Sequence, residues 1–304
     1  MKRLILKILL FLLICVVVDR GVGATMRWLM SHAQSGETYR NYYMFNKMKD
    51  DVLIFGSSRA MHHYNPLVIE GRVGVKCYNC GISGYGIILF YPRLMKILER
   101  YQPKLIIYDV YSSFDLKPGD NHKYLRYVRQ IEGCEAANEV LTSIDSTERW
   151  KMFSKAYQYN SQLPQSIGDC IKSDPDSLRG FHPKFGVKQD VTRKEKDNET
   201  PKVLKYEYDD LKLHYLQLLM ETCKQRNISL VIFLSPLAVY EDDSLYEPVR
   251  TLCNSNNILF VDYERLFDKR PEMFYDKAHM NAEGASTFSV LVADTIMKTI
   301  PSIQ

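Results

Sequence analysis

With 304 residues, of which 46% are hydrophobic and 25% charged, the chain can bury one large core or two modest ones and lacks the bias of a disordered or fibrous sequence. Lysine and arginine number 40 against 36 acidic residues, a formal charge of +4 spread along the chain. That balance excludes a nucleic-acid binder resting on a basic stripe.

In chain order, Met1-Lys2-Arg3 precedes an apolar stretch from Leu4 to Val18, interrupted by Lys7 and closed by Asp19-Arg20. Residues 1–30 are therefore expected to be a membrane-directed segment. It is short for a span, since about 30 Å of hydrocarbon needs roughly 20 helical residues, but Lys7 can snorkel and Gly21 to Met30 can lengthen the helix. Positive charge before it predicts a cytoplasmic N-terminus with the rest exported. The alternative is a cleaved signal peptide with Val22-Gly23-Ala24 as the small-residue site. Either way, the remaining domain, 31–304, is expected outside the cytoplasm. Cys77, Cys80, Cys134, Cys170, Cys223 and Cys253 are an even set that can pair in an oxidising space. Cys77-Tyr78-Asn79-Cys80 has C-x-x-C spacing, but no second pair completes a four-ligand zinc site.

Five apolar runs bounded by turn residues then read as buried parallel strands: Val52 to Phe55, Val75 to Tyr78, Leu105 to Val110, Leu230 to Leu234 and Ile258 to Val261. Helical patterns lie between them, from Ile87 to Tyr101 and from Leu211 to Arg226. Alternation of strand and helix predicts a three-layer α/β sandwich with a parallel sheet of about five strands. Its active residues are expected at the carboxyl ends of the strands, where strand order reverses. The interval 114–205 breaks the pattern and is expected to be a helical and loop insertion. Within it, Gly180-Phe181-His182-Pro183 is a candidate pocket wall, and Lys184 to Lys205 reads as a solvated loop.

Gly56-Ser57-Ser58-Arg59 follows the first strand, and Asp276-Lys277-Ala278-His279 precedes the last helix. Serine is a weak nucleophile without a base in hydrogen-bond reach and a group to orient that base. Ser58, His279 and Asp276 supply those three types in a pattern suited to acyl transfer. Taken singly, Ser58 reads as a helix cap, His279 as a loop histidine and Asp276 as a cap of the final helix; together they read as a nucleophile, base and orienter. The backbone N–H groups of Ser58 and Gly84 are the candidates for holding an oxyanion. Arg59 reads as a structural donor. Of His62 and His63, one is expected to face the pocket. No cofactor, metal or nucleic acid is called for.

These motifs resemble the SGNH (GDSL-type) hydrolase superfamily. Gly56-Ser57-Ser58-Arg59 matches its first block in a GSSR form, Asn79-Cys80-Gly81-Ile82-Ser83-Gly84 resembles the second, and Asp276 to His279 matches the D-x-x-H of the last. The resemblance spans Gly56 to Gly284 in family order. It implies a flavodoxin-like sandwich and a serine esterase or O-acyltransferase working through an acyl-enzyme, on a carbohydrate or small exported ester. One block departs: Tyr108-Asp109-Val110-Tyr111-Ser112-Ser113 stands where G-x-N-D would supply an oxyanion asparagine, leaving Ser112, Ser113 or two backbone groups for that task. The GSSR form with an N-terminal membrane helix also resembles anchored proteins that transfer acyl groups to exported polysaccharides, which implies a membrane acyl-transfer partner. The rival reading is a non-catalytic SGNH-fold component of a polysaccharide-modification or assembly complex. A nucleotide or redox binder would need a phosphate-cradling glycine loop, and the turn after the first strand offers one glycine.

Overall fold

The computed structural model describes residues 1–160, 162–174, 176–188, 206–300 and 303. Most of the predicted solvated loop, 189–205, lies outside them. Fourteen α-helices are described: α1 Lys2–His32, α2 Gly36–Tyr42, α3 Ser58–His63, α4 Pro66–Val73, α5 Ile87–Leu98, α6 Ser112–Asp115, α7 His122–Val128, α8 Glu135–Ile144, α9 Glu148–Lys151, α10 Lys155–Gln158, α11 Leu163–Ile171, α12 Asp210–Gln225, α13 Glu247–Asn256 and α14 Ala282–Thr299. Five strands accompany them: β1 Val52–Gly56, β2 Cys77–Asn79, β3 Leu105–Asp109, β4 Ser229–Leu234 and β5 Leu259–Asp262.

The strands form one parallel sheet in the order β2-β1-β3-β4-β5. This is the doubly wound order of flavodoxin-like sheets, whose strand sequence reverses between β1 and β3. All five lie where the apolar runs predicted them. β1 and β3 are buried along their whole length, which is why they read as continuous Val/Ile/Leu runs rather than alternating ones. Residues two apart share a face: Val52 and Ile54, Leu105 and Ile107, Val231 and Phe233 form one core with Ile69 and Val73 of α4 and Phe288, Val292 and Ile296 of α14. On the other face, Phe55 meets Phe90 at 5.9 Å and Phe90 meets Tyr108 at 6.2 Å between ring centroids.

Packing divides the chain into two compact units, one of 1–48, 95–97 and 121–176 and one of 49–94, 98–120 and 177–304. The second holds the sheet. The first joins the N-terminal helix to helices from the 114–205 interval. In that unit Met26 and Leu29 of α1 pack with Tyr159 in a small core. The Asp19 carboxylate accepts bonds from the Ser154 hydroxyl at 2.6 Å and from the Lys155 and Ala156 N–H groups at 3.0 and 2.9 Å, capping the start of α10. The acid that closes the apolar stretch is thus a helix cap.

The side chains from Leu4 to Leu6 and from Ile8 to Ile14 are exposed, as are Val16 to Val18. Among the described residues, however, no helix is long and apolar enough to cross a membrane. Between Lys7 and Asp19 the uncharged run rises roughly 17 Å at 1.5 Å per residue, against about 30 Å of hydrocarbon. The expected transmembrane span is corrected on that point. The cysteine pairing that the even count left open is not seen: among the described residues no disulfide links the seven cysteines, and Cys77 and Cys80 are buried in and just after β2.

Candidate active site

β1 ends in Gly56, whose φ of +144° suits glycine, and a Cβ there would stand 2.7 Å from the Asp109 carbonyl oxygen. The chain can therefore turn sharply past the end of β3 into α3. Ser57 caps α3, its hydroxyl accepting from the Arg59 N–H at 3.4 Å. The capping role that Ser58 would have as an isolated residue falls to its neighbour, and Ser58 becomes the first residue of the helix. First-turn N–H groups have no partner within their own helix, and the Ser58 side chain is left to other work.

That side chain meets the far end of the chain. Ser58 Oγ lies 2.8 Å from His279 Nε2, and His279 Nδ1 lies 2.9 and 3.1 Å from the two carboxylate oxygens of Asp276. Asp276 Oδ1 also accepts the N–H groups of Ala278 and His279, each at 3.0 Å, so a tight turn holds acid and imidazole in one frame. The final helix is capped by Asn281, which accepts from the Gly284 N–H at 3.0 Å. Asp276 is thereby spared for the histidine. With a carboxylate at Nδ1, the ring carries its proton there, and Nε2 is the acceptor for the Ser58 hydroxyl.

The electrostatics keep the base neutral. Burial lowers the pKa of His279 below its ordinary 6.5, and Asp276 pulls the other way without cancelling the effect. Burial tends to raise Asp276, but the Ala278 N–H and the neighbouring imidazole outweigh it and hold the carboxyl below 3.8. An ionised acid beside a neutral imidazole is the resting state a proton acceptor requires.

Beneath this pair lies a buried floor that the sequence reading left unassigned. Arg59 is fully buried; its Nε and Nη2 donate to the Ser235 hydroxyl and carbonyl at 3.1 and 2.9 Å, and it pairs with Asp109 at 3.4 Å. Asp109 Oδ1 accepts from the Tyr64 hydroxyl at 2.7 Å and the Ser235 N–H at 3.1 Å. His63, also buried, receives the Met280 N–H on Nε2 at 3.0 Å and donates from Nδ1 to the Ser235 hydroxyl at 2.9 Å. It therefore ties the end of β4 to the residue after His279. A signal for this floor was present: Asp109 is a charge at the end of an apolar run, and a buried charge needs a partner.

Gly84 takes φ +83° in the turn after β2, and that turn is pinned to the first block by the Ile82 N–H bond to the Gly56 carbonyl at 3.1 Å. A Cβ on Gly81 would come within 2.7 Å of the Met61 nitrogen, so the second block lies directly against α3. Ser112 is not available as a substitute for the missing asparagine, because its hydroxyl donates to the Glu241 carboxylate at 2.6 and 2.7 Å. His62 is the histidine that reaches the site: its ring stands edge-on to that of His279, centroids 5.3 Å apart. The wall segment is also in contact, since the His182 N–H binds the Met61 carbonyl at 3.0 Å and the His182 carbonyl binds His62.

No family profile and no curated protein matches this chain. Among solved structures, an acetyl xylan esterase, AlAXEase, is similar at 12% identity and a TM-score of 0.41, over 82% of this chain and 99% of its own. A protein from Streptococcus pneumonia, provisionally described as a platelet activating factor, is similar at 13% identity and a TM-score of 0.44, over 91% of this chain and 98% of its own. Neither likeness carries an argument about the chemistry of this chain.

Proposed function

We propose that this protein is a serine-dependent esterase or O-acyltransferase of the SGNH type, acting on carbohydrate or small-molecule esters. The observation that carries the proposal is the Ser58 hydroxyl 2.8 Å from the imidazole nitrogen opposite the one bound to Asp276. Ser58 Oγ attacks the ester carbonyl carbon while its proton passes to His279 Nε2; Asp276 stabilises the imidazolium. His279 then protonates the departing alcohol, leaving an acyl group on Ser58. Water, or a sugar hydroxyl, reverses the sequence. The Ser58 and Gly84 N–H groups are assigned to the oxyanion, and such donors are each worth about 3 to 4 kcal/mol of barrier.

The test is active-site labelling with a fluorophosphonate and turnover of an acetyl ester. Ser58→Ala should abolish both. Ser57→Ala should keep them at a stability cost of about 1 kcal/mol for the lost cap. Equal labelling of the two variants would remove the assignment, and an unlabelled wild-type protein that co-purifies with a membrane acyl-transfer partner would favour a non-catalytic component instead. An exported location belongs to the same proposal, with the exposed apolar half of α1 as the surface that meets lipid. Recovery of the full chain in the aqueous fraction after a salt wash of membranes would count against it.

A further inference from the structure

His62 stands beside His279 and has no part in the proton relay. It follows Ser58 by four residues on α3, so both side chains project from the same helix face. Its Nδ1 lies 2.6 Å from the His182 carbonyl oxygen, an acceptor only, so the ring proton sits on Nδ1 and Nε2 bears a lone pair. Among the described residues nothing hydrogen-bonds that Nε2, and the ring is only partly buried. Burial lowers the pKa of His62 to about 4, so the lone pair is present at neutral pH.

The position of this lone pair limits what it can serve. Any alcohol that leaves or enters during acyl transfer must place its oxygen at His279 Nε2, since that nitrogen gives or takes its proton. The His62 ring borders that place, 5.3 Å from the His279 ring between centroids. A bare acceptor there asks for a second donor on the same alcohol. Neighbouring ring hydroxyls of a sugar stand a hydrogen bond's length apart, so one can react at His279 while the next donates to His62.

We propose that His62 is a specificity residue for the alcohol half of the substrate, accepting a hydrogen bond from a hydroxyl adjacent to the reacting one and so selecting vicinal polyols, sugars above all, over simple alcohols. The inference rests on the acyl-enzyme reading of Ser58. In the transfer step the acceptor oxygen bonds to the acyl carbon, its proton moves to His279 Nε2, the Ser58 ester C–O bond breaks, and His279 returns the proton to Ser58 Oγ. His62 neither gains nor loses a proton. It orients the acceptor, and by microscopic reversibility it orients the same sugar as a leaving group.

The experiment uses the full chain, p-nitrophenyl acetate as acyl donor, and either methyl glucoside or cyclohexanol as acceptor, measuring acetylated acceptor against free acetate. Wild type should favour the glucoside about tenfold over cyclohexanol, the discrimination expected from one hydrogen bond. His62→Phe should erase that preference. His62→Asn is the decisive variant, because its amide N–H can still reach the His182 carbonyl while nothing occupies the place of Nε2; it should lose the preference as well. An Asn variant that keeps the preference would show that His62 acts only through His182 and overturn the proposal, as would a wild type indifferent to the two acceptors. Absence of Ser58-dependent fluorophosphonate labelling would instead sink the parent reading and take this inference with it.

Discussion

Two acid–base pairs within the sheet-bearing unit lie a few residues from each other in sequence or space, and they differ in one property. Asp276 and His279 keep 24% and 20% of their side-chain surface exposed, whereas Asp109 and Arg59 keep none. The rim pair can exchange protons with a bound molecule, and its charge changes during the proposed reaction. The floor pair is sealed; Asp109 Oδ2 and Arg59 Nη1 are buried without hydrogen bonds, so neither charge can be relieved by solvent. Partial exposure is what a working acid–base couple needs, and complete burial is what a fixed support needs. Ser58 and Arg59, adjacent in sequence, serve the two sides separately because successive residues of a helix point in different directions.

Breaking the rim should have the largest kinetic effect. Asp276→Asn leaves an acceptor for the Ala278 and His279 N–H groups, so the turn should survive. Its amide, however, presents N–H to Nδ1 and favours the tautomer with the proton on Nε2, where it blocks acceptance from Ser58. A loss of about 10⁴-fold in kcat is expected, by analogy with serine hydrolases in general, with little change in denaturation midpoint. A large loss of stability in this variant would mean that Asp276 belongs with the floor.

Breaking the floor should invert that result. Asp109→Ala strands the Arg59 guanidinium in the interior, and removing one partner of a buried pair costs about 3 to 5 kcal/mol. Urea unfolding should show it directly. Burial pushes the Asp109 carboxyl above its usual range, with Arg59 and the Tyr64 and Ser235 donors opposing. If Asp109→Ala unfolds at the wild-type midpoint, the distinction between rim and floor is wrong.

The difference in exposure also explains what could be read beforehand. β1, β3 and β4 were legible because burial on both faces forces continuous apolar runs, and the Asp276-x-x-His279 pair was legible because it is local. Ser58 was legible from the abrupt change of an apolar run into Gly56-Ser57-Ser58. The floor was not, since Asp109, Tyr64, Ser235 and His63 come from separate elements whose meeting depends on the β2-β1-β3-β4-β5 order. The association of α1 with helices from 121–176 was equally hidden, because Asp19 reads as a stray charge until Ser154 and its neighbours are seen folded against it. Cysteine pairing was not legible either, because an even count carries no information about distance, and Cys77 and Cys80 are small residues of a buried edge.

The mildest test of the comparison is a pH profile. The proposed base works when neutral, and His279 titrates below 6.5 because burial outweighs the pull of Asp276. The acylation rate should therefore rise with pH through an inflection below 6.5 and stay level across neutrality. In Asp276→Asn the upward pull is gone, so whatever residual rate remains should inflect at a lower pH than wild type. Stability should follow the same sign. His279 and His62 both bind protons less readily folded than unfolded, so their contribution is complete above the unfolded value near 6.5 and is lost as pH falls, with His62 charging at about 4. A wild-type inflection above 6.5 would show that Asp276 dominates burial at the rim, making the imidazolium the resting state and leaving Ser58 without its proton acceptor at the start of the reaction.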